Sequence, residues 1–165
     1  MKIIVGLGNP EQKHFNNRHN AGFIFVDTLA MDRELSWELE KKFNSEIAAN
    51  KSLMLVKPQT YMNRSGEAVT KIVNYFKIDL NDLVIVHDDV DLNPGETRFK
   101  RGMSAAGHHG IENIIEKLGS NDFWRLRIGV GRPVDKKFDV EDYVLGDLTE
   151  NEIETIKNLT NTATL

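Results

Sequence analysis

Histidine, carboxylate and side-chain amides stand at a few separated places in this 165-residue chain, and their settings limit the chemistry open to them. His19 lies between Arg18 and Asn20 in a polar loop, residues 6–20 (GLGNPEQKHFNNRHN), a poor setting for a core histidine. An imidazole titrating near neutrality there suits general-base work, and a solvated surface position is the alternative. Asp88 ends the most strongly apolar run of the chain, residues 83–86 followed by His87-Asp88-Asp89. A carboxylate fixed there can orient an imidazole and stabilise its protonated form, or simply terminate a strand. Asn9 and Asn63 carry amides that both donate and accept, so a pair of them in a cleft can hold a peptide backbone or order a water. Each also suits an Asx turn, Asn9 before Pro10 in particular. Ser65, two residues before Glu67, reads as a helix N-cap.

Other chemistries fit less well. His87, Asp88, Asp89, Asp91, His108 and His109 invite a metal reading, yet strand alternation sends His87 and Asp88 to opposite faces, and the sequence has no HExxH set. There is no GxSxG elbow, and the early GLGNPE lacks the third glycine of a dinucleotide fingerprint. With no cysteine, thiol nucleophiles, thiolate zinc sites and disulfides are excluded. The formal charge of −4 gives no global attraction to nucleic acid, so phosphate contacts must come from a local patch. Arg98, Lys100 and Arg101, with Arg125, Arg127 and Arg132, supply a candidate. No run approaches the roughly 18 apolar residues of a membrane span, and the chain opens directly into a strand pattern. A soluble, cytoplasmic protein is expected.

These residues need a scaffold. Residues 3–5 read as a buried strand, and Val26, Leu29 and Ala30 as one face of a helix fraying near residues 31–33. Residues 43–49 and 53–56 read as two strands around a turn at 50–52. Val69, Ile72, Val73 and Phe76 fall at helical spacing. Residues 83–86 have the pattern of a central strand buried on both faces. A turn at 91–95, a short strand at 96–101, a small-residue loop at 102–110 and a helix bearing Ile111, Ile114, Ile115 and Leu118 follow. Residues 124–130 alternate apolar and basic, as in a half-buried strand. Thr149 and Glu152 form a capping-box signature for a last helix carrying Ile153, Ile156 and Leu159. Recurrent strand, polar loop and helix predict an α/β fold: a mixed twisted sheet with helices on both faces, as a single domain over residues 1–165. Three loops, around Asn9/His19, Asn63 and Asp88/His108, then converge at the carboxyl edge of the sheet.

The blocks IVGLGNPEQKHFNNRHNAG, LVKPQTYMNRSGEAV, IVHDDVDLNPGETRFKRGMSAAGHHGIENII and FWRLRIGVGRP, with DYVL, resemble the bacterial peptidyl-tRNA hydrolase family from Met1 to about Leu148. The resemblance implies an enzyme that cleaves the ester between peptide and tRNA, needs no cofactor or metal, acts as a monomer and contacts no membrane. It puts the catalytic histidine at His19 and its supporting aspartate at Asp88. The substrate-holding asparagines fall on Asn9 and Asn63, with Tyr61 and Met62 beside the second, and His14, His108 and His109 at further substrate contacts. The pair that clamps a tRNA phosphate falls on Lys100 and Arg127. Four positions depart from the family's motifs: Glu11 replaces glycine, His14 tyrosine, Asn17 threonine and His109 asparagine. The final helix looks short against the family's. Two other classes remain open, an RNA-binding relative without hydrolysis and a small-molecule esterase using the same histidine.

Overall fold

Aliphatic runs buried on both faces form the parallel centre of a sheet, because a strand with no polar face has to be covered from two sides. In the computed structural model, which describes residues 1–163 and 165, these central strands are β1 (Lys2–Gly6) and β5 (Leu83–Asp89). β1 pairs in parallel with both β4 (Leu53–Pro58) and β5. With β2 (Glu38–Glu40), β3 (Ser45–Ala49), β6 (Thr97–Arg101) and β7 (Trp124–Gly129), the sheet runs β2-β3-β4-β1-β5-β7-β6. β7 extends the parallel set beside β5, whereas β2, β3 and β6 are antiparallel additions at the two ends.

Helices α1 (Ala21–Asp32) and α5 (Glu150–Asn158) cover one face, their Phe25, Val26, Leu29 and Ile156 packing on Ile4, Val84 and Val86. Helices α2 (Ser65–Phe76) and α3 (His109–Leu118) cover the other, where Val69, Ile72, Ile111 and Ile114 meet Ile3, Val5 and Ile85. The predicted mixed α/β architecture is therefore the observed one. Helix α5 carries the expected capping box between Thr149 and Glu152. Among the described residues no helix is long and apolar enough to cross a membrane.

Several local expectations change. The strand predicted to start at Phe43 begins at Ser45, since Asn44 turns left-handed at φ 45° and closes a short 3-10 turn. β2 and the short helix α4 (Val140–Val144) were not foreseen; β2 is only three residues long and fully exposed, although residues 35–40 alternate apolar and polar. Ser65 is not an N-cap: it is the first residue of α2, buried, and its hydroxyl donates to the Met62 carbonyl at 2.7 Å. β7 was expected to be half buried with its arginines outward, yet Arg125 is 1% exposed.

One close approach sets the position of the loop between β1 and α1. A Cβ on Gly22 would lie 2.3 Å from the Val86 carbonyl oxygen, and one on Gly6 would lie 2.3 Å from the Gly22 carbonyl oxygen. Only hydrogen at both sites lets the start of α1 rest on the ends of β1 and β5. Gly22→Ala should therefore destabilise the fold by about 1–3 kcal/mol through overpacking. Urea unfolding measures this, and an unchanged midpoint would show that the helix start has room to shift.

Candidate functional site

Asp88 lies at the carboxyl end of β5, 2% exposed, and two imidazoles from different segments close on its carboxylate. His19 Nδ1 stands 2.8 Å from Oδ2 and 3.0 Å from Oδ1, and His108 Nε2 stands 2.9 Å from Oδ1. The two rings are tilted at 50° with centroids 5.0 Å apart. Hydrogen-bond partners fix which nitrogen carries each proton. A carboxylate only accepts, so His19 holds its proton on Nδ1. Its Nε2 keeps the lone pair and, among the described residues, has no hydrogen-bond partner. His108 is the N-cap of α3, and its Nδ1 accepts from the Ile111 amide at 3.3 Å, so its proton is on Nε2 facing Asp88.

Burial acting alone would lower the His19 pKa, but the charge of Asp88 and its hydrogen bond outweigh this and hold it above the ordinary value. Burial would likewise raise the Asp88 carboxyl. The His19 and His108 rings reverse that and hold it well below the usual carboxylate range. His19, Asp88 and His108 also present ligand-type atoms within 4.8 Å of one another. In this arrangement both nitrogens facing the carboxylate carry protons, so the cluster is a hydrogen-bonded relay. A metal would require His108 to move its proton onto Nδ1, against the Ile111 amide.

The amides come from two loops. Asn9, 7% exposed, uses Oδ1 to accept from the Met62 amide at 2.9 Å, which leaves its Nδ2 to face outward. It forms no Asx turn. Its backbone is instead held by Asn20, whose Oδ1 accepts from the Asn9 amide and whose Nδ2 donates to the Asn9 carbonyl, both at 2.9 Å. Asn20 was visible in the sequence as one more amide of the loop, but nothing there marked it as the residue that shapes it. Asn63 is exposed and makes no side-chain hydrogen bond among the described residues. Met62 has its side chain in the core, so it serves the site through its amide.

His19, Asn63 and His109 form the wall shared by two cavities. One, of about 490 Å³, adds Asn9, Tyr61, Met62 and Arg64. The other, of about 720 Å³, runs past Asp88 and His108 to α4 and includes Arg132 and Glu141.

The four departures from the family's motifs all find partners. Glu11 accepts from the Tyr61 hydroxyl at 2.7 Å, which lowers the pKa of the carboxyl and raises that of the phenol. His14 Nδ1 meets Asn17 Oδ1 at 2.6 Å, and Asn17 Nδ2 donates to Asp147 at 2.8 Å. His14 lines neither cavity. His109 bonds Glu141 across to α4 at 2.9 Å, and this contact raises its pKa.

The proposed clamp cations lie on one face of the β6/β7 pair. Directly opposed residues of an antiparallel pair share a face, and the register sets Arg98 against Arg127 and Lys100 against Arg125. Lys100 is exposed. Arg127 is partly committed, its Nε donating to Asp89 at 2.6 Å. Arg98, exposed and opposite Arg127, is a third cation of the same face that the motif comparison did not single out.

A buried aspartate that presents a histidine lone pair to a cleft, on an α/β scaffold, is an arrangement suited to general-base chemistry. The chain matches the Peptidyl-tRNA hydrolase family over residues 3–164, and it belongs to that family. The peptidyl-tRNA hydrolase of Mycoplasma capricolum subsp. capricolum is 42% identical to it over 165 residues, 98% of this chain and 88% of that protein. That of Bacillus subtilis is 43% identical over 164 residues, with 95% and 85% covered. The crystal structure of peptidyl-tRNA hydrolase from Acinetobacter baumannii, 36% identical, matches with a TM-score of 0.90 over 98% of this chain and 83% of that one.

The charge of Asp88 is what keeps the buried His19 ring basic, so Asp88→Asn should leave burial unopposed. The His19 pKa, held above the ordinary imidazole value in the parent, is expected to fall below it in the variant. NMR titration of the imidazole reads both values, and an unchanged pKa would separate His19 from Asp88 electrostatically.

Proposed function

We propose that this protein hydrolyses the ester joining a peptide to the terminal ribose of tRNA, with His19 as general base and Asp88 as its support. The feature that supports this most is the free Nε2 lone pair of a histidine held at Nδ1 by a buried carboxylate, in the wall between two cavities. Water gives a proton to Nε2 while its oxygen attacks the acyl carbon, and Asp88 stabilises the imidazolium that forms. The tetrahedral intermediate then expels the ribose oxygen, which takes the proton back from His19. The products are a peptide carboxylic acid, which releases its proton to solvent at neutral pH, and a tRNA with its terminal hydroxyl restored.

The Nδ2 of Asn9 and the amide of Asn63 serve to hold the acyl group and the developing oxyanion. Tyr61 flanks them in the smaller cavity, with His108 and His109 on the side of the larger one. His14 acts from the rim, through Asn17. Lys100, Arg127 and Arg98 take the tRNA phosphates, since a local patch suffices on a chain of net negative charge. On this reading the chain works as one domain and as a monomer, in the cytoplasm, without cofactor or metal.

Incubation with N-acetyl-aminoacyl-tRNA and with free aminoacyl-tRNA, each with and without chelator, tests the reading. Rapid chelator-insensitive release from the blocked substrate alone is expected. Binding without cleavage would make the chain an RNA-binding relative, and equal cleavage of a blocked amino acid ester lacking tRNA would make it a general esterase. His19→Ala should lower kcat by about 10²–10⁴-fold with KM little changed. Lys100→Ala should reduce the slope of log affinity against log salt by about 1. An unchanged slope would remove Lys100 from the clamp.

A further inference from the structure

Arg125 is the bulkiest fully buried side chain among the described residues, and it forms no ion pair among them. The neighbouring Asp89 is engaged by Arg127 at 2.6 Å. The Arg125 guanidinium instead spends its donors on neutral acceptors: Nε on His87 Nε2 at 3.1 Å, and Nη1 on the Met103 and Ser104 carbonyls at 3.1 and 2.5 Å. Burying a cation on such terms is costly, and apolar side chains of similar volume often replace buried ionic groups without loss of stability. Packing alone therefore does not account for an arginine here.

We propose that Arg125, acting through His87, is a positioning residue for the Asp88–His19 pair, an inference that rests on the hydrolase reading above. A guanidinium only donates, so His87 Nε2 must carry the lone pair and Nδ1 the proton. That proton is donated to the backbone carbonyl of Asp88 at 2.8 Å. The His87 ring also packs edge-on against His108 with centroids 4.8 Å apart, and His108 is the second donor to the Asp88 carboxylate. The Met103 and Ser104 carbonyls anchor the start of the small-residue loop that delivers His108. One guanidinium thus reaches Asp88 by three routes: its main chain, its second donor and the loop carrying that donor. His87 remains a neutral donor, because burial, the His108 ring and Arg125 itself all oppose its protonation. Burial pulls the Arg125 pKa down to about 10, with Arg127 acting in the same direction and Asp89 against it. The guanidinium therefore stays charged at neutral pH. Loss of either link lets the carboxylate turn relative to Nδ1 of His19, which weakens the charge-assisted bond that keeps His19 basic.

The test compares Arg125→Met, His87→Phe and His87→Asn with the parent, reading kcat, KM, the pH profile and melting temperature together. Phenylalanine keeps a ring but can neither accept from Arg125 nor donate to Asp88, whereas the shorter asparagine amide keeps a donor where Nδ1 meets the Asp88 carbonyl. Arg125→Met and His87→Phe are expected to lower kcat by about 10²-fold, the scale of a misplaced catalytic group, with KM within about twofold. The acid limb of kcat/KM should move to lower pH in both variants, and His87→Asn should recover most of the lost rate. If Arg125→Met does not fold, the two His87 variants decide. A fall in melting temperature with unchanged kcat and pH profile, at temperatures where the variants are folded, would overturn the proposal. NMR titration of His19 needs no substrate. A His19 pKa unmoved by His87→Phe would therefore overturn it even if the parent cleaved no peptidyl-tRNA, a failure that would count against the hydrolase reading instead.

Discussion

A carboxylate that is 2% exposed cannot remain ionised without partners, and the structure around Asp88 is organised by that requirement. Its donors arrive from two distant parts of the chain: His19 from the loop after β1 and His108 from the cap of α3. Each donor is itself constrained. His108 must keep its Nδ1 lone pair to cap α3, so it can only present Nε2–H to the carboxylate. His19 follows directly before Asn20, the N-cap of α1, and α1 can approach only because Gly6 and Gly22 carry no Cβ. The proton acceptor at the cleft is thus a by-product of satisfying a buried anion.

The larger cavity is rich in carboxylates, which would repel a polyanion if they stood unpaired. They do not. Asp88 is held by two imidazoles, Asp89 by Arg127, Asp91 by Arg132, and Glu141 by His109. Asp139 is occupied as the cap of α4. Each carboxylate is tied to a partner, Glu112 also through His109, and the two arginines cancel part of the wall's negative charge. Arg98 and Lys100, exposed and without an ion pair among the described residues, stand on the adjoining β6/β7 face.

Most of the architecture was legible because the decisive segments have unambiguous periods. The run at 83–86 fits only a strand covered on both faces, and the isoleucines at 111, 114 and 115 fit only a helix. The pairing of His19 with Asp88 was legible from their setting and from the motifs around them, since strand ends and polar loops are where an α/β fold presents side chains. What stayed hidden depends on partners far apart in sequence. Alternation along β7 gave Arg125 the look of a solvated residue, when in fact it lies beneath the 102–107 loop. Asn9 looked like a turn former before proline, and only the Met62 amide, 53 positions away, shows how its oxygen is used. Asn44 shortened a strand by adopting a left-handed backbone that its neighbours did not announce.

The short bond between His14 and Asn17 bears on how this chain diverged. In the motif that the loop resembles, these positions carry tyrosine and threonine. A tyrosine placed at 14 alone would leave Asn17 without its ring partner, while a threonine placed at 17 alone would also cut the tie to Asp147. The two positions therefore act as a unit: a change at either leaves a polar group of the other without its partner, and a change at 17 also releases the loop from Asp147.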